Sequence, residues 1–485
     1  MSTNKANNLH SKQTKWAYRL CFLLAFLCAG YAIARVNIAA GDTIYLQSDD
    51  GDLYLSIARN MLEHAHFIQT ARPIANFVVP PGLPFITTVV LFLTGGLSEF
   101  SVQAGFGDYA VGTAGPDMLG VLLFQYFVYG AAAGLMAVSA LKLAENGLGA
   151  MQNGVFAWQK NGGKSAVPKA LPWILAILIG LAVPAAYVWC SVQIRHPNPG
   201  FILTESYTVC LIALIVWLVV SGADPRKTTA AAFILTLFRP ACSPLFLAAL
   251  LWTVVRAIRD RVTRPPVHKR IHLYSIFVML AVFVGVLGIN TAVNWLETGH
   301  AIVLEDYGNL DVYLANNEVA PADWYHSGKV PQFASPRYHA ILADPALTRY
   351  EQNEQAGEAL REYVAANTET VLHNAGVRFY KLFFETWGPV WVAFLACFAL
   401  QMVLKGLRWQ QKVYLAAAAV ILSVMPAFGL LVARYSAPML PLFIVLIIGT
   451  AGWLVCLLAT LPKREAAKAA EVPAPEASPA EPIQE

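Results

Sequence analysis

Three carboxylates stand within four residues at Asp49-Asp50-Gly51-Asp52, followed by Leu53-Tyr54, just after the first apolar segment of transmembrane length. Acidic groups beside a bilayer are costly to hold there and go with chemistry or ion handling at that surface. The stretch Tyr54-Leu55-Ser56-Ile57-Ala58-Arg59-Asn60-Met61-Leu62 reads as a short helix after the acids. Aspartate caps a helix N-terminus well, so one of the three is expected to cap it. Another is then a general base or a metal ligand. A calcium loop is not indicated, because further ligands at the required spacing and the closing Glu are missing.

Other chemistry-bearing residues stand near span ends. Arg72 precedes Pro80-Pro81-Gly82-Leu83-Pro84, whose dense prolines either make a rigid turn or free backbone groups for a ligand. Thr204-Glu205 opens a later span, where the helix dipole favours a carboxylate as a cap and the shared face with the acidic run favours a joint site. Arg239-Pro240 breaks an apolar run, and Arg434-Tyr435 precedes Pro438 between the last two. An arginine at such a rim snorkels to headgroups or grips a phosphate, which the guanidinium fork suits. His300, His326 and His339 are scattered without metal-site spacing.

These residues must be positioned by a membrane domain. The chain has 485 residues, 57% hydrophobic and 13% charged, against roughly 25% charged in a soluble chain. Apolar runs fall at about 17–38, 78–97, 117–143, 171–192, 202–221, 228–255, 273–296, 388–404, 413–433 and 439–461. The expected fold is all-α and polytopic, with a membrane domain over 1–461 and a disordered Ala/Pro/Glu-rich cytoplasmic tail over 462–485. The net charge of +4 implies no nucleic-acid partner, since the positive residues sit in short clusters between apolar runs. All seven cysteines lie in or beside those runs and read as packing residues. The basic N-terminus reads as the flank of an uncleaved first helix rather than of a signal peptide.

Lysine and arginine clusters place the N-terminus, 142–169, 226–227, 256–270, 405–412 and 463–468 in the cytoplasm. The outer face then receives 39–77, 193–201, 297–387 and 434–438, the acidic run among them. The run 228–255 lies between two basic loops and should form two short helices meeting near the outer face at Arg239-Pro240. The run 78–97 has uncharged or acidic surroundings at both ends and reads as re-entrant or as half of a hairpin. In the large outer loop, 345–384 is helical by the spacing of Ala359, Tyr363, Val364, Val371, Leu372, Ala375, Phe379 and Leu382.

The order of these pieces resembles the bacterial GT-C fold glycosyltransferases that use polyprenyl-phosphate sugars, relatives of protein O-mannosyltransferases and lipid A aminoarabinose transferases. The resemblance rests on Asp49-Asp50-Gly51-Asp52-Leu53-Tyr54 with the Ala58-Arg59 helix, Pro80-Pro81-Gly82-Leu83-Pro84-Phe85, Leu203-Thr204-Glu205-Ser206, Phe238-Arg239-Pro240, Gly308-Asn309-Leu310 with Asn316-Asn317, and Arg434-Tyr435-Ser436-Ala437-Pro438. It departs at Val78-Val79, where close relatives often carry a charged residue before the proline pair.

The resemblance implies a glycosyltransferase of the cell envelope, acting in glycan biosynthesis. It implies a multi-pass bacterial inner-membrane enzyme with its active site facing the periplasm. The donor is a sugar on undecaprenyl or another polyprenyl phosphate, the acceptor a hydroxyl of a lipid, glycan or protein, and the outcome inversion. Asp50 best matches the catalytic first-loop acid, with Asp49 second and Asp52 and Glu205 as further candidates. Arg434, Tyr435, Arg239 and Arg72 are the candidates for the donor phosphate. A divalent metal on Asp50 and Glu205 is the alternative to a cationic side chain. Transport or flipping of a lipid-linked sugar is the rival function, expected to show ionisable residues in mid-span and repeated halves. A non-catalytic scaffold that binds a partner through its outer loop is a third. Cysteines placed at Ser98 and Ser165 should label from the outer and the cytoplasmic face respectively; labelling of both from one side refutes the charge-based topology.

Overall fold

In a computed structural model, the described residues are 2–41, 49–64, 78–94, 119–159, 170–194, 197–263, 273–322, 334–404, 406–429 and 433–470. They fold into helices α1 (Ser2–Gly41), α2 (Asp49–His64), α3 (Gly82–Thr94), α4 (Leu119–Gln159), α5 (Leu171–Gln193), α6 (Thr204–Val220), α7 (Pro225–Phe238), α8 (Ser243–Thr263) and α9 (Leu273–Thr298). There follow α10 (Gly308–Ala315), α11 (Pro336–Ala343), α12 (Arg349–Ala366), α13 (Thr368–Tyr380), α14 (Pro389–Val403), α15 (Trp409–Val424) and α16 (Leu440–Ala470). Among the described residues there is no strand. Among the described residues, seven helical segments are long and apolar enough to cross a membrane, and the bent pair Thr368–Glu385 and Pro389–Val403 would make an eighth. The chain is an all-α, multi-pass membrane protein.

Small residues let the backbones of the bundle approach. Ala17, Cys21, Ala25, Ala29 and Ile33 recur every fourth residue of α1 and are buried against α4 and α5. A Cβ on Gly130 would stand 2.9 Å from the Phe26 carbonyl. Such small-residue seams are how helices pack where water gives no driving force between them. Tyr129 stacks on Tyr187 at 4.2 Å and shares a 2.8 Å hydrogen bond with Ser191. The seven cysteines are free thiols, four of them buried.

All ten expected apolar runs are helical, with three differences of length. Of the run at 78–97 the described residues form α3, whose 13 residues rise about 20 Å, short of the roughly 30 Å of a hydrocarbon core, and 95–97 lie outside the described residues. The run at 228–255 breaks at Arg239-Pro240 as expected, but α8 is a full span rather than a short helix. It packs antiparallel on α7, with Thr229 on Thr253 at 2.8 Å and Phe233 on Phe246 at 5.6 Å. The last helix continues through Ala470, nine residues beyond the expected end of the membrane domain at Leu461, and 471–485 lie outside the described residues.

The segment between α9 and α14 builds a small apolar core of its own from Leu310, Tyr313, Leu314, Tyr338, Ile341, Ala356 and Ala359. The expected long helix divides at Asn367 into α12 and α13. Val371, Ala375 and Leu382 are buried as the periodicity implied, whereas Leu372 is exposed. Gly388, at a φ of 37° that side chains rarely adopt, precedes Pro389 and makes a 94° bend into α14. Arg378 of α13 donates to Asn316 at 3.0 Å and to the Ala315 carbonyl, and Asn316 donates to the Phe428 carbonyl at 2.8 Å. These bonds pin the loop to the end of α15.

Gly82 sits where α3 meets the end of α7. A Cβ there would lie 2.8 Å from both the Leu237 carbonyl and the Phe238 ring. Because one neighbour is backbone, Gly82→Ala should cost about 1–3 kcal/mol through a forced shift, read as a lowered melting temperature of the detergent-solubilised protein.

Candidate active site

One cavity of about 540 Å³ gathers the chemistry-bearing residues at one end of the bundle. Its walls come from the starts of α2, α6, α10 and α12, the end of α7, the approach to α3, and the turns flanking α16 and α15. Local sequence explains several of these placements. Glu205 is the second residue of α6, where the dipole favours a carboxylate. The turn before α6 is fixed by Asn37, which exchanges side-chain hydrogen bonds of 2.8 and 2.7 Å with Asn198. Arg239 follows the last residue of α7, with Pro240 preventing continuation. Arg349 is placed at the first position of α12 by a capping box, in which Thr348 and Glu351 satisfy each other's backbone N–H groups.

At the centre are four ionic side chains. The Arg434 Nη2 donates to Asp50 Oδ2 at 3.0 Å. The Glu205 Oε1 lies 3.7 Å from Arg434 Nε and 3.5 Å from Arg239 Nη1. Both guanidiniums also lie over the Tyr435 ring, at 5.0 Å for Arg239 and 5.6 Å for Arg434. The two carboxylates differ in access, since the Glu205 side chain is 5% exposed and that of Asp50 is 46% exposed. Burial of such charges is tolerable only with close pairing of this kind.

Asp50, Glu205, Arg239, Arg434 and Tyr435 are therefore brought together. Asp50 lies within the first turn of α2, so the helix begins at the acids rather than after them. Asp49 is the first residue of the same helix and Asp52 the fourth, and their side chains fall outside the described residues. Arg72, Ser98, Ser165, His196 and His326 also lie outside them. His300 stacks on Tyr350 at 4.3 Å and His339 is exposed, both away from the cavity lining.

For the divalent metal offered as an alternative, the described ligands are already engaged by a cation. Its two ligands would be Asp50 and Glu205, and the Arg434 guanidinium already stands against both. Among the described residues no group of three or more His, Cys, Asp or Glu side chains is arranged to hold a metal.

The sequence reading gave no role to a second group on the loop wall, Glu305, Tyr307, Asp311 and Arg349, or to Asp306 beside it. Asp306 pairs with the segment before Pro80, donating its N–H to the Val78 carbonyl at 3.3 Å and accepting from the Val78 N–H at 3.2 Å. Thus an acid does stand beside Val78-Val79, supplied from a distant part of the chain. Burial, reinforced by the charge of Asp311, pushes the Glu305 carboxyl up to about 7. Burial likewise raises Asp306 to about 7, against the opposing pull of Arg349 and the Val78 N–H. Burial raises Asp311 to about 6, again opposed by Arg349. The one readable signal for this wall was the Thr-x-x-Glu capping pattern that sets Arg349 in place.

The chain matches no family model, no curated protein and no solved structure. Chemically, the cavity offers an accessible carboxylate, two adjacent guanidiniums, and an apolar wall from Phe238, Ile421, Leu422, Met425 and Phe428. The first can take a proton, the second can hold an anion, and the third suits an apolar chain.

The raised carboxyls link stability to pH. Their folded-state values lie above the ordinary 3.8 and 4.5, so the folded protein binds more protons in that interval. The resulting contribution is fully present below about pH 4 and is lost as pH rises through about 6–7. The melting temperature should therefore fall between pH 5 and about 8, and Glu305→Gln should flatten that dependence.

Proposed function

We propose that this protein is a membrane glycosyltransferase that moves a sugar from a polyprenyl-phosphate donor to an acceptor hydroxyl, in the manner of the GT-C enzymes it resembles. The observation that carries this reading is the pairing, within one cavity at the end of a membrane bundle, of the accessible Asp50 carboxylate with the Arg434–Arg239 guanidinium pair. An apolar flank beside a cationic centre suits a lipid phosphate, and the carboxylate suits a hydroxyl nucleophile.

In the reaction, the acceptor oxygen forms a bond to the anomeric carbon as the bond from that carbon to the phosphate oxygen breaks. Asp50 takes the acceptor proton, and the departing electron pair stays on the lipid phosphate. Arg434 and Arg239 stabilise that charge, fixed in place before the reaction begins. The leaving group needs no protonation, because a phosphate is stable as an anion. The attack comes from the face opposite the phosphate and inverts the anomeric centre. The proposed setting is the outer face of a bacterial plasma membrane, with a lipid, glycan or protein as acceptor.

The test is transfer from a radiolabelled mixture of undecaprenyl-phosphate sugars in membranes carrying wild type or Asp50→Asn at equal expression. Wild type should consume one donor, and the variant should lose about 10²–10⁴-fold in rate. Equal consumption by both moves the base to Asp49 or Asp52. No consumption by either overturns transfer from these donors and favours transport of a lipid-linked sugar.

A further inference from the structure

The four central ionic groups are not equivalent, and their differences assign them separate tasks. Glu205 presents one oxygen, Oε1, to both guanidiniums, at 3.5 Å from Arg239 and 3.7 Å from Arg434. Its side chain is nearly inaccessible and sits on the rigid first turn of α6. Tyr435 lies against both guanidiniums through its ring. Among the described residues Asp50 is ion-paired with Arg434, through Nη2, from a half-open position on the cavity wall.

We infer that Glu205 is a positioning residue that holds Arg239 and Arg434 side by side as a clamp for a phosphate-bearing ligand, while Asp50 is the partner that Arg434 releases when the ligand arrives. This rests on the reading of the donor as a lipid phosphodiester. The formal charges of Asp50, Glu205, Arg239 and Arg434 sum to zero. A phosphodiester carries one negative charge, so replacing Asp50 on Arg434 leaves the clamp neutral. Glu205 cannot make this exchange without removing the buried partner shared by both arginines, which is the costly way to break a buried pair. Across the cavity, the charges of Asp306 and Asp311 act on Arg349 and offset it at that wall.

The experiment measures binding of undecaprenyl phosphate to the purified full-length protein, alongside KM and kcat for the donor found by the transfer assay. Glu205→Gln should weaken lipid-phosphate binding and raise the donor KM by about tenfold, as expected for loss of one charged contact, with kcat at saturating donor largely kept. Glu205→Asp should recover part of the affinity. Asp50→Asn should do the reverse, losing kcat while binding undecaprenyl phosphate as tightly as wild type or more tightly. Tyr435→Leu should weaken binding as Glu205→Gln does, and Tyr435→Phe should not, which provides a test should Glu205→Gln fail to fold. Wild-type-like binding in Glu205→Gln together with lost kcat overturns the clamp, as does unchanged binding in Tyr435→Leu. Absence of lipid-phosphate binding by the wild type instead overturns the donor reading on which the clamp rests.

Discussion

The constraint on which the rest depends is the neutralisation of Arg434 at the end of a membrane bundle. A guanidinium there must be paired, and its partners come from the first turn of α2 and the first turn of α6. Those two turns lie more than 150 residues apart in sequence, and α16 follows from Arg434 itself after a further two hundred. The ion cluster therefore ties the first, middle and last parts of the chain at one point. Net stabilisation from such a buried cluster is small, because desolvation offsets most of the Coulomb attraction. Its contribution is to fix which helix ends meet, and leaving any member unpaired would be costly.

The surrounding elements answer to that point. α3 is too short to cross a membrane, and Gly82 allows its first turn to press on the end of α7. α7 is also short and stops at Arg239, so the arginine emerges at cavity depth rather than beyond it. The loop core closes the remaining side through Asn316 and Arg378 onto the end of α15. The end of the short α7 and the approach to the short α3 thus both contribute to the cavity wall.

Much of this was legible in the sequence. Ten apolar runs gave ten helical regions, because hydropathy of that strength leaves the backbone no other way to satisfy itself in lipid. Arg239-Pro240 and Arg434-Tyr435 were visible because prolines beside arginines at span ends have few structural uses. Glu205 was visible by its place at a helix start on the expected outer face. The start of α2 was misplaced because an acidic residue is equally at home just before a helix and within its first turn. The full length of α8 was hidden by Pro240 and Pro244, which look like breakers but stand at its tolerated N-terminal end.

The loop carboxylates were illegible for a different reason. Glu305, Asp306 and Asp311 occur in an ordinary polar stretch, where charges usually mean solvent. Their character comes from what covers them: the segment before Pro80, the capping-box start of α12, and the loop's own core. None of those neighbours is close in sequence, and no periodicity records them. The outcome is a cavity with an ion-paired floor and a wall where burial raises the Glu305 and Asp311 carboxyls to about 7 and about 6. A wall of that kind can donate as well as accept hydrogen bonds near pH 7, which a wall of ionised carboxylates cannot. Under the proposed reading, that wall would face the hydroxyls of the sugar and the ionic floor its phosphate.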